Sequence, residues 1–227
     1  MLGKFWHIIS KWAVDKLPQK TKAMAVPKPE VKSIPLKSDQ YYPAAQKKTH
    51  IVLHHTAGGT AASSIAYWAS TPDHIATPYV IDRDGTIYET YDPQFWAYHL
   101  GVKGATWLEK ASIGIEICSY GQLTPNIAGE LLTYTKKVIP KEKAVKLNFR
   151  GFDYWEAYTP EQIDALKQLL PYLMDRFGIK PQADRKNFWE YREPKTLPPG
   201  IWSHTTVRKD KVDIFPQKEI VEAVYSL

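Results

Sequence analysis

Residues 112–119 read SIGIEICS, in which Ile113, Ile115 and Ile117 alternate with Ser112, Gly114, Glu116 and Cys118. Successive strand side chains point to opposite faces, so one face of this segment is wholly apolar and the other carries a carboxylate between two small residues. The apolar face demands a second layer packed against it. The other leaves space above Glu116, and a carboxylate facing such space marks either a half-exposed sheet surface or a site. The strand alone fits both readings.

Around it the chain alternates between strand and helix signals. Residues 50–56 (HIVLHHT) read as a buried strand. Ala57-Gly58-Gly59 is a turn, and Thr60 caps a helix running to about residue 70, where Thr71-Pro72 stops it. Residues 79–82 and 86–91, joined by Arg83-Asp84-Gly85, carry a hairpin signal. Thr159-Pro160-Glu161-Gln162 opens a helix with an N-cap, a proline at the first helical position and a capping box. Its buried stripe is Ile163, Leu166, Leu170, Leu173 and Phe177, and Gly178 ends it. Residues 201–206 read as extended and 217–225 as a short closing helix. Residues 121–158 lack a helical period and include the aromatic-rich FRGFDYWEAY, which reads as an insertion with one or two short strands. Together these predict an α/β fold, a mixed central β-sheet flanked by helices, as a single domain over residues 46–227.

Ahead of that domain, residues 1–45 read as an extended N-terminal arm, basic and rich in Pro and Lys. Its first seventeen residues, MLGKFWHIISKWAVDKL, read as a short amphipathic helix with Phe5, Ile8, Ile9, Trp12 and Ala13 on one face. Ala23-Met24-Ala25 is like a small-residue cleavage site. Lys11 and Asp15 interrupt the apolar core that an export signal needs, so no signal peptide is expected.

A chain of 227 residues is long enough for one substantial core. Cys118 is its only cysteine, which excludes an internal disulfide and a cysteine zinc ribbon. Any metal must therefore be held by His and carboxylate ligands. The net charge of +6 and pI near 9.1 suit an anionic partner such as nucleic acid, a cell-wall polymer or a membrane surface. No apolar run approaches the length of a membrane span.

Of the seven histidines, His54 and His55 are adjacent on a strand, so at most one can share a site with Glu116. His204 is followed nine residues later by Asp213, with Lys211 two residues before it. Two His and one Asp would make a three-ligand zinc site with one position open, although this spacing alone is common.

The local wording narrows the choice. His54 stands in IVLHHTAGG, Glu116 in SIGIEIC, and His204, Lys211 and Asp213 in GIWSHTTVRKDKVDIFP, with YVIDRDGTIYE and AYHLG between them. In this order the segments resemble the zinc-dependent N-acetylmuramoyl-L-alanine amidases of the phage amidase-lysozyme and peptidoglycan-recognition type. The resemblance runs from about residue 48 to the C-terminus, apart from 121–158. It implies a zinc ion held by His54, His204 and Asp213. It also implies Glu116 as the acid/base carboxylate and Lys211 as the lysine that stabilises the oxyanion. His99, in AYHLG, matches a histidine that lines the substrate groove in relatives. Tyr98, Trp68, Trp96 and Tyr67 read first as core packing and second as residues that stack on sugar or stem peptide. The implied reaction cuts the amide between N-acetylmuramic acid and L-alanine, with peptidoglycan or muropeptides as partner and no nucleic acid.

The chain also departs from the family pattern. The usual D-P-G-P of the late motif is here Asp213-Ile214-Phe215-Pro216, which constrains the loop carrying the third ligand. Thr77-Pro78 replaces a frequent aromatic or His pair, so a tyrosine used catalytically in some phage members has no counterpart and Glu116 carries more weight. Tyr98 replaces a usual Trp. Cys118 reads as a small buried residue. The phage-like pattern without an export signal implies an endolysin made in the cytoplasm that reaches the wall after release by a separate pore-forming protein. Two rivals stay open: a non-catalytic peptidoglycan-recognition module, and a structural or docking protein whose N-terminal arm contacts a membrane or virion.

Overall fold

In the computed structural model, which describes residues 25–181 and 188–227, the isoleucine face of residues 112–117 is the floor of the main core. In chain order the first strands are β1 (Lys32–Ser33), β2 (His50–His55), β3 (Tyr79–Ile81), β4 (Ile87–Glu89) and β5 (Ser112–Ile117). Then come β6 (Gln122–Pro125), β7 (Leu131–Leu132), β8 (Val138–Ile139), β9 (Ala144–Phe149), β10 (Phe152–Glu156) and β11 (Gly200–Ser203). The α-helices are α1 (Ala61–Ser70), α2 (Thr106–Ala111), α3 (Pro160–Phe177), α4 (His204–Val207) and α5 (Lys218–Tyr225).

The central sheet has six strands in the order β1-β4-β3-β5-β2-β11. It is mixed: β3 and β4 are antiparallel, and the other pairs are parallel. Ile51 and Leu53 of β2 lie beside Ile113 and Ile115 of β5 in register. They pack on Ile163, Leu166, Leu169, Leu170 and Leu173 of α3 and on Ile220 and Val224 of α5. Helix α3 begins as its sequence predicts. Thr159 Oγ1 accepts from Gln162 N–H at 3.2 Å, and Gln162 Oε1 accepts from Thr159 N–H at 3.0 Å. Gly178 ends it at φ 66°, a left-handed conformation that glycine adopts without a Cβ clash.

Two local expectations change, and one helix went unread. Residues 121–158 hold five strands, not one or two, in an antiparallel sheet ordered β8-β7-β6-β10-β9. Two of these strands are only two residues long, too short to show a period in sequence. The extended reading of 201–206 holds only to Ser203, where a reciprocal Ser203/Thr206 capping box starts α4. Helix α2, six residues with no side-chain cap, gave no start signal. Residues 25–45 are largely extended and lie along the domain: β1 adds a parallel edge strand to β4, Leu36 is buried, and Tyr41 stacks on Tyr91 at 4.8 Å. The amphipathic helix and the cleavage-site reading fall on residues 1–24, outside the described residues. No helix among the described residues is long and apolar enough to cross a membrane.

The inserted sheet is welded to the main core. Val145, Leu147 and Phe149 of β9 turn inward with Trp155 of β10. Phe215 is stacked between Trp155 and Tyr158, with ring centroids 4.9 and 4.7 Å away. Phe215 is fully buried, so Phe215→Ala should lower unfolding free energy by about 3–5 kcal/mol, as deletion of a buried ring does. Urea denaturation of the metal-free protein measures this. A loss under about 1 kcal/mol would show that the ring bears little of the junction.

Candidate active site

The register of the central strands sets the site. β2 and β5 run parallel with His54 opposite Glu116, so both side chains share the face away from the isoleucines. β11 lies on the other side of β2, and the chain passes from Ser203 directly into α4, whose first residue is His204. The backbone then returns, and Thr205 N–H donates to the Asp213 carbonyl at 2.9 Å. Segments distant in sequence thus deliver His54, His204 and Asp213 to one point.

Their atoms form a tight triangle. His54 Nδ1 is 3.0 Å from His204 Nδ1 and 3.2 Å from Asp213 Oδ2, and His204 Nδ1 is 2.9 Å from the same oxygen. All three residues are buried. His204 Nε2 lies 3.0 Å from the Leu100 carbonyl, an acceptor only, so Nε2 carries the hydrogen. His54 Nε2 is likewise engaged, 2.9 Å from His99 Nδ1. Burial and the neighbouring His204 push the His54 imidazole down to about 4. Burial alone would raise the Asp213 carboxyl, but His204 and His54 outweigh it and hold Asp213 well below the usual carboxylate range.

This donor set fits a divalent cation. Two imidazole nitrogens and a carboxylate oxygen converge as lone-pair donors. The edges of their triangle are close to the ~3.3 Å expected between ligands of a tetrahedral ion with bonds of about 2.0–2.1 Å. Among the described residues, His54, His204 and Asp213 are the group of His, Cys and acidic side chains able to hold an ion.

Glu116 completes the arrangement. Its Oε2 is buried without a hydrogen-bond partner, a costly state that points to a group still to arrive. Burial, reinforced by the Asp213 charge and opposed by Lys211, pushes the Glu116 carboxyl well above its ordinary value. The Lys211 charge lowers the proton affinity of both Glu116 and His54. His55 faces the other way, with Nδ1 3.0 Å from the Tyr158 hydroxyl.

The remaining sequence candidates lie as follows. The His99 side chain is only 4% exposed, its two ring nitrogens on His54 and on Ser112 Oγ at 2.8 Å. Trp96 stacks against Tyr42 of the N-terminal arm at 4.0 Å, and Tyr98 meets Trp96 edge-on at 5.5 Å. Trp68 of α1 is buried in a separate cluster with Leu36, Ala76 and Val80, whereas Tyr67 beside it is exposed. Cys118 is buried. Three residues that support the site went unread in the sequence: Ser112 as a partner of His99, Glu109 on α2, and Phe215 behind Asp213. Only Phe215 left a trace, as an aromatic where the family pattern has glycine.

A family model described as N-acetylmuramoyl-L-alanine amidase matches residues 44–217. Among solved structures, the catalytic domain of XlyA superposes with a TM-score of 0.52 at 15% identity, covering 87% of this chain and 98% of that one. PlyL superposes at 0.51 and 14% identity, covering 87% and 93%. An endolysin N-acetylmuramoyl-L-alanine amidase, LysCS from Clostridium intestinale URNW, gives 0.49 and 17%, covering 89% and 99%. At such identities the likeness to XlyA and PlyL is one of fold. Comparison with curated proteins gives no match. The matched family region spans most of the sequence and contains the whole His54–His204–Asp213 cluster with Glu116 and Lys211, and the chain belongs to the N-acetylmuramoyl-L-alanine amidase family.

Proposed function

We propose that this chain is a zinc-dependent hydrolase of the amide joining the lactyl group of N-acetylmuramic acid to L-alanine in peptidoglycan, acting as a phage-type endolysin. The observation that carries the reading is the convergence of two imidazole lone pairs and a carboxylate beside Glu116, whose Oε2 has no partner. His54, His204 and Asp213 would hold the zinc, which when bound supplies Lewis-acid polarisation of a carbonyl and acidifies water. Glu116 takes the proton of the attacking water and delivers it to the leaving L-alanine amine. A general acid–base group of this kind is typically worth about 10²–10⁴-fold in rate. The Lys211 ammonium stabilises the negative charge that develops on the carbonyl oxygen. A net charge of +6 suits an anionic wall as substrate surface.

Digestion of purified peptidoglycan, read by mass spectrometry, tests the bond. The expected products are stem peptides with a new free L-alanine amino terminus and glycan with an intact lactyl carboxylate. Wild-type protein that binds muropeptides yet releases no such terminus would establish the non-catalytic binding module instead.

Purified protein should contain about one zinc per chain by elemental analysis. Chelation should abolish turnover and leave the circular dichroism nearly unchanged. His54→Ala, His204→Ala and Asp213→Ala should each lose the metal, whereas His55→Ala, on the opposite face, should keep it. Equal loss from His54→Ala and His55→Ala would overturn the ligand assignment.

Glu116→Gln keeps the shape and hydrogen-bonding reach of the side chain but cannot take the proton. Turnover should fall by about 10²–10⁴-fold, the usual worth of a general acid–base group, with zinc content and muropeptide affinity preserved. Turnover at the wild-type rate would assign the proton transfer to another group.

A further inference from the structure

Both imidazoles of the cluster are oriented from one short segment. The ring nitrogens they turn away from Asp213 end on consecutive residues, His54 Nε2 on His99 Nδ1 at 2.9 Å and His204 Nε2 on the Leu100 carbonyl at 3.0 Å. The hydrogens along the first contact can be assigned. Ser112 Oγ donates its hydrogen to the Leu108 carbonyl at 2.6 Å, so it accepts from His99 Nε2–H at 2.8 Å. His99 Nδ1 is left to accept, and His54 Nε2 must donate to it. His54 Nδ1 then presents a lone pair to the triangle, as His204 Nδ1 does.

That segment is itself pinned. The buried Glu109 carboxylate of α2 accepts from the backbone N–H of His99 at 2.9 Å, of Leu100 at 3.0 Å and of Gly101 at 2.9 Å. The bare backbone of Gly114 on β5 makes room for the His99 ring. A Cβ there would lie 3.0 Å from His99 Nδ1 and 2.6 Å from Thr77 Cγ2. Part of the space beside Glu116 is therefore the seat of His99.

We propose that residues 99–101, held by the Glu109 carboxylate, form a shelf that fixes both histidine ligands with Nδ1 turned towards Asp213, and that His99 and Glu109 are positioning residues for the metal. Hydrogen bonds of this kind orient a ligating imidazole, and their loss typically lowers metal affinity by about 10–100-fold. The affinity half of the proposal rests on the zinc reading above; the orientation half concerns the chain alone.

The test reads both halves. Nitrogen-15 NMR of imidazoles in the metal-free protein should show His54 and His204 as Nε2–H tautomers. In His99→Leu, His54 should lose its single tautomer while His204 keeps its own. Zinc affinity, titrated with zinc alone against a competing chelator, should fall by about 10–100-fold. His99→Gln, which restores an acceptor, should recover most of that loss. Glu109→Gln sets an amide N–H against backbone N–H groups and should broaden both tautomer signals. Thermal unfolding of each metal-free variant separates these effects from a loss of fold. His54 as the Nδ1–H tautomer in the wild type would overturn the proposal, and that measurement needs no variant. Folded His99→Leu with wild-type affinity, or no better affinity in His99→Gln than in His99→Leu, would overturn it as well. Absence of zinc binding by the wild type would overturn the zinc reading and the affinity half with it, while the tautomers still decide the orientation.

Discussion

The parallel register of β2 on β5 is the constraint on which the rest depends. With Leu53 beside Ile115 and His54 beside Glu116, the alternation of the pleat sorts two strands at once into an oily lower face and a polar upper one. Slipping β2 by a single residue would put His54 into the core and carry Ile51 and Leu53 to the site, and slipping β5 would do the same with Glu116 and its isoleucines. Burial of the lower face against α3 therefore fixes the upper face without any direct interaction between His54 and Glu116. Core packing and site geometry are here one decision, made by hydrophobic burial.

The elements legible in the sequence were those whose signal is local. The Ile113/Ile115/Ile117 alternation, the Thr159 capping box and the Asp84-Gly85 turn each name their structure within a few residues. The helix at His204 was masked because its start is a Ser203–Thr206 exchange within an otherwise strand-like run. The inserted sheet was masked because its strands are short and become stable only against partners such as Phe215, some sixty residues away. In the candidate site, His54, His204, Asp213 and Glu116 were all named from family wording, the pleat by itself leaving Glu116 open between a half-exposed surface and a site. Glu109 could not, because a carboxylate that caps three backbone N–H groups across a loop has no sequence spacing of its own.

The polar face is built to be incomplete. Lone pairs from two rings and a carboxylate point inward, and a second carboxylate keeps an oxygen without a partner. Burying such groups costs free energy that the isoleucine layer beneath must cover. Natural proteins commonly break packing rules where function resides, which is what singles this cluster out as the candidate site. Its rigidity comes from neighbours with ordinary satisfied bonds: Ser112 to Leu108, Glu109 to the 99–101 backbone, and Phe215 between two rings.

The N-terminal arm gives a practical consequence. The family match begins at residue 44, which invites trimming everything before it when a minimal domain is prepared. That cut would remove β1 from the outer edge of β4, together with Leu36, Tyr41 and Tyr42. The exposed strand would offer unpaired backbone groups and the uncovered faces of Tyr91, Phe95 and Trp96 to other molecules. The shortened protein would tend to self-associate in solution, so the natural border for handling this enzyme lies upstream of the border drawn by homology.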